Sequence, residues 1–400
     1  MKKLITHPFG VVCVLSLWWL VFFTLAILQI TDFRSMRDNT LILYTVFIAF
    51  FFIGGALSAY KYSNKFLLNS KSNVFFGPCR FGKKANSIVS FALLVLLMWQ
   101  FFVMLKVDFF SYTYIEYNRM LRGGGDYGFI TKTKFGDHFY KLVVYPCLIL
   151  VYLVALTGCL NRVAVSFIIA NLILFTIIWQ VNYPLIFVVY TLFLSYLFFS
   201  PSWFNKAVLP IIVLGLCLVS AAFVRYGGAS WGVFEHYFVN YNLIGFHFFD
   251  AKFNDSNSVL HELSYGRSLL GAIDQYADLL FRPLGSEYLS ASLQNVTDNM
   301  QQIDIGESEE KLVNAFGTMA FTSYRDFGWL GIVFVPFIYG YSLIFCYSKC
   351  AYSWRHRALY VLLCYGWMTG NSVSPFDHVY FVFSIVFLVF FFRFRINKNG

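Results

Sequence analysis

Three arginines stand beside glycines in polar segments that separate hydrophobic runs of the chain, in the sequences Arg122-Gly123-Gly124-Gly125, Arg225-Tyr226-Gly227-Gly228 and Tyr265-Gly266-Arg267. A guanidinium keeps its charge and donates two parallel hydrogen bonds to phosphate oxygens. Glycine lets backbone N–H groups approach an anion closely. The three sequences together indicate phosphate binding without a metal, while each one alone fits a flexible turn after a helix equally well.

The longest polar stretch runs from Arg225 to Asp326 and carries thirteen of the twenty acidic residues of the chain against six basic ones. It ends in Tyr324-Arg325-Asp326, directly before a hydrophobic run. Asp326 is the preferred candidate for a catalytic base that accepts a hydroxyl proton, because it lies at the membrane surface beside Arg325 and Tyr324. The other candidate bases are Glu235, His236, His261, Glu262 and Asp377. An aspartate that caps a helix is an equally good interpretation of this position.

The composition excludes a water-soluble globule, because 59% of the residues are apolar and the mean hydropathy is +0.64. The net charge of +10 does not indicate a nucleic-acid partner, since the charges lie at the edges of hydrophobic runs. The eight cysteines and the remaining motifs show neither a disulfide framework nor a metal-binding spacing, so no metal and no cofactor are predicted.

The elements that must position these side chains are membrane spans, because about 20 apolar residues cross a bilayer as a helix. Hydropathy predicts ten of them, at 8–30, 39–60, 87–106, 141–161, 163–181, 184–200, 207–224, 327–348, 358–373 and 378–393. The predicted fold is an all-α polytopic membrane protein that forms one membrane domain over 1–400.

The charges predict the orientation of the spans, because basic loops stay in the cytoplasm. With the N-terminus inside, the inner segments hold sixteen basic residues and no carboxylate, and all twenty carboxylates fall on the other side. Both termini are therefore predicted to be cytoplasmic, and 225–326 is predicted to be a large external loop between spans seven and eight. The central parts of the spans lack ionisable residues, which argues against an ion-coupled transporter.

Two segments of the large loop are predicted to be interfacial helices that lie on the external leaflet. The first is Val233–Phe249, in which Glu235, His236 and His247 make a full span costly. The second, Ser268–Phe281, is amphipathic, with Pro283 just beyond its end. Its apolar face carries Leu269, Leu270, Ile273, Ala277 and Leu280, and its polar face carries Asp274, Asp278 and Arg282.

The late external loop and the pattern Asn314…Thr318…Tyr324-x-Asp326-Phe-Gly328-x-x-Gly331 resemble the Wzy-type O-antigen polymerases of Gram-negative bacteria. The resemblance implies an inner-membrane glycosyltransferase that faces the periplasm and joins oligosaccharide repeat units carried on undecaprenyl pyrophosphate. It also implies functional external arginines and a chain-length regulator of the Wzz type as a partner. An Arg-x10-Gly pattern of some members is missing, because His236 stands eleven residues after Arg225.

The residues and the resemblance together predict a catalytic pair, Arg225 and Asp326. Substrate binding is predicted for Arg119, Arg122, Arg267, Arg282, Arg325 and Tyr324. Two alternatives remain open at this point. One is an O-antigen ligase or another polyprenyl-linked glycosyltransferase, and the other is a flippase for the lipid-linked oligosaccharide.

Overall fold

The computed structural model describes residues 7–70, 83–106, 162–179, 239–271, 273–274, 277, 281, 290–291, 294–295, 298, 303–313, 317–350, 353–386 and 388–389. Most of these residues are helical. The helices are α1 Pro8–Ile27, α2 Asp38–Ser70, α3 Lys83–Lys106, α4 Arg162–Trp179, α5 Tyr241–Phe253, α6 Met319–Phe327, α7 Trp329–Lys349, α8 Trp354–Thr369 and α9 Val379–Val386. Short 3-10 turns lie at Val259–His261 and Pro375–Asp377, and the strands β1 Ile303–Asp304 and β2 Leu312–Val313 pair antiparallel.

Three helices among the described residues are long and apolar enough to cross a membrane: α1, the part Asp38–Tyr62 of α2, and α7. A shorter apolar helix covers Ser87–Trp99 within α3. The described residues are thus mostly helical, with three helices suited to a bilayer, which is consistent with the predicted all-α membrane protein. The count of ten stays a prediction, since the predicted spans 141–161, 184–200 and 207–224 lie outside the described residues.

The chain divides into two compact units. The first contains Met1–Asn73, Phe234–Cys350 and Leu362–Val386, and the second contains Val74–Val233, Ala351–Val361 and Phe387–Gly400. In the second unit α3 and α4 pack together, and the buried Asn171 donates a hydrogen bond of 3.0 Å to the carbonyl oxygen of Leu93. The contacts described below all belong to the first unit.

Helices α2 and α7 approach each other closely because glycines form their contact. A Cβ atom on Gly54 would lie 2.1 Å from the carbonyl oxygen of Phe337, and one on Gly340 would lie 2.3 Å from that of Phe51. Small residues permit such backbone contact between membrane helices, where van der Waals packing holds the helices together. The two glycines thus set the separation of the two spans.

Aromatic side chains fill the core between α1, α2 and the last turns of α8. The indole of Trp19 donates a hydrogen bond of 2.7 Å to the carbonyl oxygen of Trp367, and the indole of Trp367 donates one of 3.1 Å to that of Leu15. The ring of Phe51 stacks on Trp367 with 3.5 Å between centroids. Because both indole N–H groups find backbone acceptors, both tryptophans can be fully buried.

Helix α5 overlaps the first predicted interfacial segment, but its burial differs from that prediction. All residues from Asn242 to Phe249 are buried, and Phe246 packs on Trp19, Phe23 and Tyr44. A helix that lies on a leaflet buries one face only. The described part of this segment therefore packs among the spans, because its aromatic residues surround the helix axis.

Helix α6 begins and ends at residues of the sequence pattern noted above. The hydroxyl of Thr318 accepts a hydrogen bond of 3.1 Å from the N–H of Phe321 and caps the helix. Gly328 then adopts φ 58°, which glycine permits, and α7 begins at the next residue. A Cβ atom on Gly331 would lie 1.8 Å from the carbonyl oxygen of Ser323, so this glycine allows α7 to turn back against α6.

Candidate functional site

Helix α6 brings three of the predicted site residues, Tyr324, Arg325 and Asp326, to the N-terminal end of span α7. Consecutive side chains of a helix project about 100° apart around its axis, so these three side chains lie in different surroundings. Asp326 is fully buried, Arg325 is 2% exposed and Tyr324 is partly buried. The segment 258–274 packs against this short helix and supplies most of the described partners.

The carboxylate of Asp326 holds the loop that runs from Ser264 to Leu269. Its Oδ1 atom accepts hydrogen bonds from the hydroxyl of Ser264 and from the N–H of Ser268 at 2.8 Å, and its Oδ2 atom accepts one from the N–H of Leu269 at 2.7 Å. Burial raises the pKa of Asp326, and these hydrogen bonds oppose that rise. The structure thus gives Asp326 an anchoring position, and its role as a base stays a prediction.

The replacement Asp326→Asn is expected to destabilise the protein by about 2 kcal/mol, because an amide NH2 group would face the N–H of Leu269 and leave a buried donor unpaired. The thermal unfolding midpoint of the purified protein in detergent measures this effect. Glu309→Gln is the matched control, since that side chain is exposed and its replacement should leave the midpoint unchanged. An unchanged midpoint for Asp326→Asn would contradict the anchoring role.

Arg325 is a buried cation with incomplete hydrogen bonding. Its Nη2 atom donates a hydrogen bond of 3.0 Å to Oε1 of Gln294 and lies 3.5 Å from Oε2 of Glu262. Its Nε and Nη1 atoms are buried and have no hydrogen-bond partner among the described residues. Burial lowers the pKa of Arg325, yet a guanidinium remains protonated in proteins. An anion with two acceptor oxygens matches these donors chemically.

Arg267 lies in the loop that Asp326 anchors. Its Nε atom donates a hydrogen bond of 3.0 Å to Oδ1 of Asp274, whose other oxygen accepts one of 2.8 Å from the hydroxyl of Ser290. The side chain of Arg267 is 40% exposed, and its charge lowers the pKa of Arg325. The fold therefore keeps two like charges near each other, and an anion bound there would relieve their repulsion.

Tyr324 belongs to an aromatic cluster beside the arginines. Its ring lies 5.1 Å from that of Phe253, 6.4 Å from that of His261 and 6.4 Å from that of Trp329, measured between centroids. Partial burial raises the pKa of Tyr324, so its hydroxyl stays protonated at neutral pH. Exposed faces of such aromatic rings are suited to stack on sugar rings.

A second carboxyl group lies near Asp326, in the turn Pro375–Asp377. The Oδ1 atom of Asp377 is buried and has no hydrogen-bond partner among the described residues. Burial and the charge of Asp326 raise the pKa of Asp377 to about 8. Asp377 is therefore mostly protonated at neutral pH and cannot accept a proton there. Glu262 differs, because its side chain is 69% exposed.

Three of the eight predicted site residues are therefore brought together on α6, and Arg267 joins them through its loop. The other four, Arg119, Arg122, Arg225 and Arg282, lie outside the described residues. Sequence reasoning missed Gln294, Ser264 and Ser268, since an amide and two hydroxyls in a polar loop carry no distinguishing signal. It also missed the contact of Arg34 with Asp304, which joins the first external loop to the β1–β2 hairpin.

The described residues contain no cluster of three or more His, Cys, Asp or Glu side chains that could hold a metal ion. The carboxylate of Asp304 accepts hydrogen bonds from the N–H groups of Gly306 and Lys311 and pairs with Arg34. Comparison of the chain with protein-family models, with curated proteins and with solved structures gives no match in any of the three.

Proposed function

We propose that this protein is a periplasm-facing glycosyltransferase that polymerises O-antigen repeat units carried on undecaprenyl pyrophosphate. The observation that carries the proposal is Arg325, a buried guanidinium at the end of a membrane span whose Nε and Nη1 atoms have no hydrogen-bond partner among the described residues. A substrate with a diphosphate at the membrane surface and a chain in the bilayer suits that position. The sequence resemblance supports the same class of enzyme.

The proposed reaction breaks one bond and forms one bond. The hydroxyl oxygen of the acceptor sugar attacks the anomeric carbon of the donor glycan, the bond from that carbon to the phosphate oxygen breaks, and undecaprenyl pyrophosphate departs. Arg325 and Arg267 stabilise the negative charge of the departing diphosphate. The leaving group needs no added proton, so the protein must supply charge stabilisation, alignment and a base.

Glu262 is the described carboxylate that is best placed to accept the proton of the hydroxyl. It is exposed and lies 3.5 Å from Nη2 of Arg325, whereas both oxygens of Asp326 accept hydrogen bonds from the loop 264–269. The rings of Tyr324 and His261 form an aromatic surface on which a sugar ring can stack. In this proposal Asp326 positions Arg325 and Arg267, while the roles of Arg225 and the other predicted arginines stay predictions from the sequence.

The proposal includes the cellular setting. The enzyme lies in the bacterial inner membrane with both termini in the cytoplasm, and its large loop between spans seven and eight lies in the periplasm. Its partners are the lipid-linked oligosaccharide, the bilayer and a chain-length regulator of the Wzz type. The orientation rests on the distribution of charges along the sequence, while the inner membrane, the lipid-linked substrate and the regulator are what the sequence resemblance implies.

Deletion of the gene tests the proposed function. The lipopolysaccharide of the deletion strain should carry single repeat units on the lipid A core, because a polymerase extends the glycan but neither exports it nor attaches it. Gel separation of the extracted lipopolysaccharide displays the ladder of chain lengths. Complete loss of the repeat unit would favour a ligase or a flippase and would refute the polymerase.

A further inference from the structure

The described polar side chains of the amphipathic segment 268–281 point inward. Ser268 is fully buried, and the side chain of Asp274 is 3% exposed and bound to Arg267 and Ser290. On the apolar face, Leu270 is 52% exposed and Ile273 is 43% exposed. An amphipathic segment in contact with water would show the opposite arrangement, because burial of its apolar face is what stabilises it.

The exposed apolar face continues into the beginning of α7. Gly266 lies against the ring of Phe327, and Gly328 lies against Leu263, so the two stretches of chain meet. We name the joint surface the apolar patch, which consists of Leu263, Leu270, Ile273, Phe327, Trp329 and Leu330. Each of these side chains is at least 42% exposed and none is charged. A contiguous surface of this kind marks an interaction site.

The position of the patch indicates what covers it. Leu330, Phe334 and Ile338 are spaced four residues apart and are 64%, 55% and 59% exposed, so they form one stripe along α7. Because α7 is a candidate span, this stripe faces lipid. The apolar patch extends the stripe beyond the N-terminal end of the span, and Trp329 stands at the junction, where tryptophan is enriched in membrane proteins.

We propose that the apolar patch is inserted into the interfacial zone of the bilayer leaflet at the N-terminal end of α7. The segment 263–273 then lies about 5–10 Å deep, at the boundary between headgroups and acyl chains. The bilayer covers the exposed leucines and isoleucine, while the buried polar face anchors the segment to α6. This inference rests on burial and continuity alone and holds whatever reaction the protein catalyses.

Spin labels on the full-length protein test this insertion. The label is attached to p-acetylphenylalanine introduced at position 270 or 273, in vesicles of phosphatidylethanolamine and phosphatidylglycerol. Collision of each label with oxygen and with a water-soluble nickel complex is measured. Both labels are expected to be accessible to oxygen and several-fold less accessible to nickel than a label at the exposed residue Glu309. A label at Phe334 should be deeper still.

Two outcomes would overturn the proposal. Nickel accessibility at 270 and 273 equal to that at 309 would place the segment in water. Low accessibility to both reagents would show that protein covers the patch, either a second copy or another partner. The thermal unfolding midpoint of each labelled variant confirms that it is folded, and the two positions provide independent readings, since both side chains project from the surface.

Discussion

The variant Arg325→Met is expected to lose glycan chain extension while its fold stays as stable as that of the unaltered protein. The buried Nε and Nη1 atoms of Arg325 have no partner among the described residues, so this guanidinium destabilises the fold. Methionine has a similar length and no polar atoms. Loss of two charge-assisted hydrogen bonds to a diphosphate, at about 1.5 kcal/mol or more each, lowers activity at least about 100-fold.

The partners that Arg325→Met would leave behind explain why stability should persist. Glu262 is 69% exposed and is solvated without the arginine, and the carboxylate of Asp326 keeps its own donors in the loop. Gln294 alone loses a hydrogen bond, of 3.0 Å. The lipopolysaccharide ladder of a complemented deletion strain measures extension, and the unfolding midpoint of the purified variant measures stability.

Two further variants sharpen this test. Arg325→Lys should restore little activity, because a single ammonium group cannot replace the planar pair of donors. Arg34→Met is the matched control, since Arg34 is 58% exposed and pairs with Asp304 away from α6, so this variant should remain active. A fully active Arg325→Met variant would show that Arg325 does not bind the substrate anion, and a variant that unfolds would contradict the expected stability.

Hydropathy predicted the three spans that correspond to α1, α2 and α7, because helix length and bilayer thickness are coupled. The predicted span 39–60 lies within α2, and the predicted span 327–348 differs from α7 by two residues at its start and one at its end. The pattern around Thr318, Gly328 and Gly331 also has a local cause that sequence can show. A cap, a positive φ angle and a close backbone approach each favour a particular residue type.

Hydropathy and periodicity did not predict which residues surround each helical segment. Periodicity showed that the segment 268–281 has two different faces and predicted that it lies on the leaflet, but it does not show which residues bury the polar side chains. The buried polar face is recognisable only once Asp274 meets Arg267 and Ser290. Helix α5 was predicted to be interfacial because His247 makes a full span costly, whereas its neighbours bury it among other helices.

The roles of individual polar residues depend on contacts between distant parts of the chain. Asp326 was chosen as a base for its place at the membrane surface, but its partners Ser264 and Ser268 lie about sixty residues earlier. Arg34 and Asp304 are separated by 270 residues. Sequence spacing does not reveal such pairs, so the contacts of each charged residue in the loop become known only from the fold.

The ion pair of Lys252 and Asp298 is expected to be the most important polar contact for the stability of the large loop. The Nζ atom lies 2.9 Å from Oδ1 of Asp298, and the side chains are 1% and 7% exposed. The hydroxyl of Ser258 donates a hydrogen bond of 3.0 Å to the other carboxylate oxygen. Lys252→Met would leave a buried carboxylate without its cation, at a cost of about 3–5 kcal/mol.

The double variant Lys252→Met/Asp298→Leu distinguishes the stability lost to an unpaired buried charge from the stability lost to altered packing. It removes both ions and should recover much of the stability that the single variant loses, because apolar residues of similar volume replace a buried pair at little cost. Arg34→Met breaks an exposed ion pair and should cost at most about 1 kcal/mol. Unfolding midpoints of all three variants in the same detergent give the comparison. If the double variant is no more stable than Lys252→Met, the loss arises from packing around α5 and not from the unpaired carboxylate.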